Sequence, residues 1–308
     1  MKVDLKSRSL TKHLFDQRYL LLLSVPFVIW LFIFRYIPLI GWVMAFQDYR
    51  PNLGWFGSPW AGFKHFRELF KAPLFYRSLQ NTLGMSILGL AFGFVTSIAF
   101  AVLLNELRYL SFKRFTQTVS YLPHFVSWVV VSNIVSSFLS ITGPFNEILM
   151  SFNIIKQPTN IMIKPEYFWW LVTFTDIWKE MGWNAIIYLA AMAGIDSQIY
   201  EAAEIDGVNR MQKVWYVTLP GISGTIIILL ILSIGNIINI GFERQFLLGN
   251  AVTAPKALVL DKYALDYGIG LFRYSYGTAI GIFKSVVSII MVFLANYLAK
   301  RSGTGKLF

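Results

Sequence analysis

Asp176, Lys179 and Glu180 fall inside one long apolar stretch, about 167–195, in the company of Trp178, Trp183, Asn184 and Tyr188. Asp176 and Glu180 are four residues apart and share a helical face, with Lys179 beside them. Charges within a bilayer-spanning segment are costly and normally face a cavity or a partner. The group therefore either lines a path for a polar solute or forms an ion-pair lock that holds this segment to its neighbours. Counted from the outer end near Tyr167, Asp176 lies about 13 Å deep at roughly 1.5 Å per residue, close to the bilayer midplane. Lys179 is the better candidate to meet an acidic solute, with Asp176 and Glu180 keeping that base oriented or pairing with a partner subunit. Two further bases lie in apolar runs. Lys284 can face the same cavity, whereas the long stem of Arg35 lets it snorkel outward. Asn236 and Asn239, followed by Glu243, add hydrogen-bonding groups that serve the same path or join helices together.

Covalent chemistry has no comparable set of residues. His13, His65 and His124 are widely separated, no H-E-x-x-H is present, and there is no cysteine to hold a metal or form a disulfide. The tail SGTGK looks like a phosphate loop, but Lys300 occupies the position of its first required glycine and no strand precedes it. The chain is expected to have no catalytic site, no metal site and no cofactor of its own.

The elements that must position these groups are long and apolar. Hydrophobic residues make up 56% of the 308, charged residues only 14%, and mean hydropathy is +0.57. Six stretches approach the roughly 20 apolar residues a spanning helix needs: about 19–46, 78–104, 117–141, 167–195, 221–242 and 277–299. The alternating ten-residue segments of an outer-membrane barrel are absent. The reading is an all-α, polytopic membrane protein with six transmembrane helices. One domain, 19–299, lies between a basic tail, 1–18, and a short tail, 300–308. The first run exceeds the roughly 7–15 residues of a signal-peptide core and is read as an uncleaved span.

Pro26 and Pro38 predict a bend in that first span. Residues 48–60 read as an external loop, and the spacing of Phe63, Phe66, Leu69 and Phe70 as a short amphipathic helix in the outer interface or a packed cap. Pro123 and His124 stand near the start of the third span; 142–166 and 243–276 are expected to be external, the latter including Arg244. These external segments carry more bases than acids. Aromatic belts and flanking bases are read as meeting membrane lipid, and no nucleic-acid partner is expected.

Between the fourth and fifth spans lies EAAEIDGVNRMQKVWYVTLP, from Glu201 to Pro220. Ala202, Ala203 and Glu204 favour helix, while Gly207 is suited to ending one. Asp206-Gly207 is turn chemistry, and a second helix through Met211, Val214 and Trp215 can follow. Leu219-Pro220 is expected to close the segment, because proline disfavours helical geometry in the residue before it. The result is a rigid knob with small residues on one side, the alternative being a solvated loop.

This segment resembles the EAA loop of the membrane-spanning subunits of bacterial ABC importers. Glu201, Ala202, Ala203, Asp206, Gly207, Leu219 and Pro220 stand at that family's spacing, with Val208 and Val217 where it usually has Ala and Ile. TVSYLPHFVSWVVV, DIWKEMGWNAIIYLAAMAGID, GFERQFLLGN and YGTAIGIFKSVV are similar to carbohydrate permeases of the LplB/MalF type, and within these to the alginate-importing kind. The resemblance implies a type I ABC importer permease fold and a cytoplasmic coupling loop, 196–220, that docks on an ATP-hydrolysing subunit. It further implies a bacterial inner (plasma) membrane setting with both termini cytoplasmic. The implied partners are a second, related permease subunit, two ATP-binding subunits that hold ATP and Mg, and a solute-binding protein delivering an oligosaccharide. The two ends and two inner loops hold only slightly more Lys and Arg than the outer loops, so the positive-inside rule is weakly obeyed. The basic outer segments either meet acidic patches on the binding protein and lipid headgroups or, with Lys179 and Lys284 farther in, draw an anionic solute; together with the resemblance they favour an anionic oligosaccharide over a neutral one. Asp176, Trp178, Lys179, Glu180, Trp183, Asn184, Asn239 and Lys284 are the candidate pathway residues.

Overall fold

The computed structural model of the protein describes residues 17–301, so most of the basic tail, all but the first two residues of 300–308, and SGTGK lie outside the described residues. Among the described residues there is no strand, only an isolated antiparallel bridge between Gln47 and Trp60. The principal helical runs are α1 (Arg18–Phe46), α2 (Lys64–Leu69), α3 (Pro73–Asn105), α4 (Leu110–Phe125), α5 (Trp128–Phe138) and α6 (Pro144–Ser151). They continue with α7 (Phe168–Ala193), α8 (Ser197–Ile205), α9 (Arg210–Gly221), α10 (Ser223–Gly235), α11 (Glu243–Leu248), α12 (Leu260–Leu265) and α13 (Tyr274–Arg301).

Three of these, α1, α3 and α13, are straight enough, long enough and apolar enough to cross a bilayer. Counting each of two bent pairs as one span raises the number to five: α4 with α5, at 104°, and α9 with α10, at 63°. α7 has the length, 26 residues, or roughly 39 Å at 1.5 Å per residue. It differs from the others in its charge, since Asp176, Lys179 and Glu180 sit at its middle.

Several expected boundaries move. α1 answers Pro38 by widening into a π turn at Phe32–Tyr36 and tightening into a 3-10 run at Ile37–Phe46. A wider turn relieves the carbonyl that the proline ring would strike and needs no bond from the missing N–H. The third span, expected as one run, is instead broken after Pro123. Leu122–Phe125 is a 3-10 turn and Val126 is extended. Ser127 restarts the helix by accepting the Val130 N–H at 3.4 Å. The fifth span stops at Gly235 and not near residue 242, with Asn236 past its end. α2 forms as expected, but its inner face packs on protein: His65 and Leu69 are buried, and Leu69 joins Phe75, Ile238, Tyr263 and Ile280 in one apolar cluster.

α7 is the central helix, packed against α3 along much of its length and against α4. Two apolar clusters grip it at opposite ends. Phe168 and Val172 pack with Met85, Leu248 and Val259; Ala185, Tyr188 and Met192 pack with Ala101 and Ile222. The charged middle of α7 lies between them. Polar ties also bind α3 to the outer segment: Asn81 Nδ2 donates to the Pro255 and Leu258 carbonyls, both at 2.8 Å, and Thr82 Oγ1 accepts the Leu260 N–H at 2.9 Å.

α4 reaches α7 by close backbone approach. A Cβ on Gly182 would lie 2.2 Å from the Ser120 carbonyl oxygen. Gly182→Val is therefore expected to force α4 off α7, destabilising the fold by about 1–3 kcal/mol. A thermal unfolding midpoint in detergent indistinguishable from wild type would contradict this crossing.

Candidate functional site

A cavity of about 480 Å³ opens between the two apolar clusters of α7. Its α3 wall sets the small residues Ser86, Gly89, Gly93 and Ser97 beside Met85, Leu90 and Phe94, around a π turn at Gly89–Gly93. α7 contributes Asp176, Glu180, Asn184 and Tyr188. The irregular segment after α10 supplies Asn236, Asn239 and Ile240, followed by Arg244. Non-helical backbone at membrane depth is tolerated where it lines a cavity or is buried in protein, and this segment does the former. An adjoining space of about 510 Å³ shares Asp176, Glu180, Asn184, Ile240 and Arg244, and adds Trp128 and Glu243.

Each charge of α7 has a partner from a distant part of the chain. Asp176 Oδ1 accepts from Arg244 Nη1. Glu180 Oε2 lies 2.6 Å from His124 Nδ1, and the His124 ring stacks on Trp183 with centroids 4.3 Å apart and planes 1° from parallel. Lys179 donates to the His124 carbonyl at 2.6 Å, lies 3.2 Å from Glu180 Oε1, and sits 5.5 Å from the centre of the Trp128 ring. Both readings of the charged group thus find a physical counterpart: the carboxylates are locked in ion pairs and also line the cavity.

The expected pathway residues divide. Asp176, Glu180, Asn184 and Asn239 meet at the cavity. Asn239 also donates to Ser288 Oγ at 2.7 Å, so it ties the segment after α10 to α13. Lys179 lies outside the lining, only 4% exposed, because its ammonium is enclosed by His124, Glu180 and Trp128. Trp178 and Trp183 are half-exposed and also lie off the cavity. Lys284 pairs with Asp261 and ties α13 to α12. The base that does line the cavity is Arg244, expected in an external loop. Its signal in sequence was the GFERQFLLGN motif, whose proximity to Asp176 no local pattern reveals.

The polar hairpin is a separate construction. Asp196 caps α8 by accepting the Gln198 N–H at 3.0 Å. α8 ends in a Schellman pair: Val208 N–H to the Ala203 carbonyl at 3.0 Å and Gly207 N–H to that of Glu204 at 3.1 Å, with Gly207 at φ +72°. Asn209 and Gln212 form a reciprocal capping box for α9, both bonds at 2.9 Å. Lys213 then clamps the pair at 2.6 Å from Glu204, holding that carboxyl below its ordinary pKa, and Tyr200 meets Thr218 at 3.0 Å. Glu201, Ala202, Asp206 and Gly207 are exposed on the outside of the hairpin, with Ile205 and Tyr216; Ala203 faces inward. The expected stop at Leu219-Pro220 is corrected: α9 continues to Gly221. A π turn at Val214–Thr218 precedes the proline and Leu219 remains helical, so the chain turns at Ile222 instead.

A helical bundle with a polar, charged cavity at its centre and a rigid polar hairpin between two of its helices has the build of a membrane permease. Residues 89–303 match the family described as binding-protein-dependent transport system inner membrane component. The chain is 44% identical over 299 residues to the polygalacturonan/rhamnogalacturonan transport system permease protein YteP of Bacillus subtilis (strain 168), across 97% of this chain and 92% of that one. It is 42% identical over 292 residues to protein LplB of the same organism, across 94% and 91%. A solved bacterial alginate ABC transporter, in complex with an alginate pentasaccharide-bound periplasmic protein, includes a chain that superposes with a TM-score of 0.86 at 36% identity, across 97% of this chain and 100% of that one. The protein belongs to this family, among its carbohydrate ABC permeases, whose subunits are not themselves catalytic.

Nothing lies within 4 Å of a Cβ built on Gly207, so its requirement is conformational and not steric. Gly207→Ala is expected to weaken the α8–α9 turn by about 1 kcal/mol, read as faster amide hydrogen exchange confined to residues near 205–209. Unchanged protection there would remove the left-handed turn as a stabilising element.

Proposed function

We propose that the protein forms half of the translocation pathway of an importer for acidic oligosaccharides built from uronic acids. The cavity at the middle of α7 carries this reading, since it offers a guanidinium and several amides at bilayer depth. Amides and ring-facing aromatics suit sugar hydroxyls, and a base is needed only if the solute is anionic. The comparisons support the same class. Alginate and polygalacturonan differ in their sugars but share a carboxylate on each uronate unit, so the uronate is a better-supported feature than either polymer.

In this reading the hairpin 196–220 is the cytoplasmic coupling element, with both termini on its side of the inner membrane. Glu201, Ala202, Asp206 and Gly207 form the face presented to an ATP-binding subunit, and Leu219 and Pro220 carry the motion into α10. ATP and Mg are held by two such subunits, a second related permease completes the pathway, and a solute-binding protein delivers the oligosaccharide. The rigidity of the hairpin supports this role, because a clamp of caps and an ion pair transmits displacement where a loose loop would absorb it.

The reconstituted importer with its binding protein is expected to hydrolyse ATP faster with uronate oligosaccharides than with neutral ones of equal length. Stimulation by neutral oligosaccharides alone would overturn the acidic-substrate reading. Gly207→Trp is expected to abolish stimulated hydrolysis while the subunit still inserts and assembles; normal stimulation in a well-expressed variant would remove the hairpin from coupling.

A further inference from the structure

Among the described residues, three bases enter the interior of the bundle, and two of them are already paired. Lys179 is enclosed by the His124 carbonyl, Glu180 and the Trp128 ring, and Lys284 is held by Asp261. Arg244 is the one of these three bases that lines both parts of the cavity. It gives one nitrogen, Nη1, to Asp176, while its Nε is buried with no hydrogen-bond partner. A guanidinium carries five N–H donors in a planar fork matched to a carboxylate, and a buried donor left unpaired is unfavourable. Arg244 thus has more donors than Asp176 occupies, and the residue lines a space large enough for a sugar ring.

We infer that Arg244 is a carboxylate-binding site for one uronate of the passing oligosaccharide, and that Asp176 is its resting counter-ion, competing with the substrate. The inference rests on the acidic-oligosaccharide reading and adds to it the residue that selects the charge. At rest Asp176 offsets Arg244, and Glu180 lies between His124 and Lys179, so the cavity carries no standing positive field. An entering carboxylate competes with Asp176 for the guanidinium and draws it away. Asn184, Asn236 and Asn239 stand on the same lining for the hydroxyls. As the substrate leaves, Asp176 recovers the guanidinium, which keeps the anion from being held too tightly to be released. A fixed, uncompensated base would bind uronate more strongly and pass it on more slowly.

The test uses the complete purified importer without its binding protein. Equilibrium binding of oligogalacturonate is measured beside that of the fully methyl-esterified oligomer, which keeps the shape and loses the charge; uptake into proteoliposomes is measured with the binding protein present. Asp176→Asn is expected to bind oligogalacturonate about tenfold more tightly or better, the scale of one charge-assisted hydrogen bond, and to import it more slowly at saturation. Arg244→Gln is expected to lose that binding by a similar factor, and neither change should alter binding of the ester. A role for the pair in folding alone would not move the two ligands apart. Should Arg244→Gln fail to assemble, Asp176→Asn decides by itself: affinity equal to or below wild type, or an equal gain for the ester, overturns the inference. Wild-type import of oligogalacturonate with neither variant discriminating the two ligands overturns this assignment and leaves the acidic-substrate reading standing. Wild-type import of neutral oligosaccharides only overturns both.

Discussion

Three charges at the middle of one long and otherwise apolar helix cannot be left without partners, and much of the architecture around α7 follows from supplying them. Desolvating an ion costs more than a single surface-like contact returns, so each is met by groups brought from far along the chain. Arg244 reaches Asp176, His124 reaches Glu180, and the His124 carbonyl reaches Lys179. To deliver these partners at the right depth, the chain gives up regular helix in two places. α4 and α5 break around Pro123–Val126, which leaves a carbonyl free to accept from Lys179. The segment after α10 runs without helix as far as α11, which holds Arg244 inward. Breaks that cost backbone hydrogen bonds in hydrocarbon are offset here because both segments lie against protein or the cavity.

The cavity is the gap left between apolar grips. Phe168 and Val172 fasten one end of α7, and Ala185, Tyr188 and Met192 the other. Between them α3 presents Ser and Gly, so the wall recedes where the charges stand. Close packing and an open polar space thus coexist on one helix, divided along its length. The outer segment closes on this core through another apolar cluster and through buried polar ties from Asn81, Thr82 and Lys284.

The hairpin after α7 obeys different physics. Its geometry comes from neighbours in sequence: an Asp cap, a Schellman turn at a left-handed glycine, a capping box and one short ion pair. Such a unit holds its shape with few long-range contacts, which leaves Glu201, Ala202 and Ile205 free on its outer face. Rigid and exposed, it contrasts with the cavity, where Asp176, Glu180 and Arg244 are constrained by distant residues.

That contrast also separates what the sequence alone determined from what required the folded chain. The helical class, the long apolar runs, the special place of Gly207 and the presence of a charged group on α7 follow from composition, spacing and local propensity, and all were legible. The turn at Asp206-Gly207 and the helix after it were readable because their bonds span only a few residues. The break after Pro123, the early end of α10 at Gly235 and the survival of helix through Leu219-Pro220 were not, because each depends on whether a π turn or a packing partner absorbs the local cost. The roles of the bases depended most on tertiary structure. Lys179 and Lys284 looked like pathway residues by depth, yet a carbonyl, a carboxylate and an indole enclose one and Asp261 holds the other. Arg244 looked external, yet it stands across the cavity from α7, 68 residues from the Asp176 that binds it. Depth along a helix can be counted from sequence; the partner that neutralises a buried charge is chosen only when distant segments come together in space.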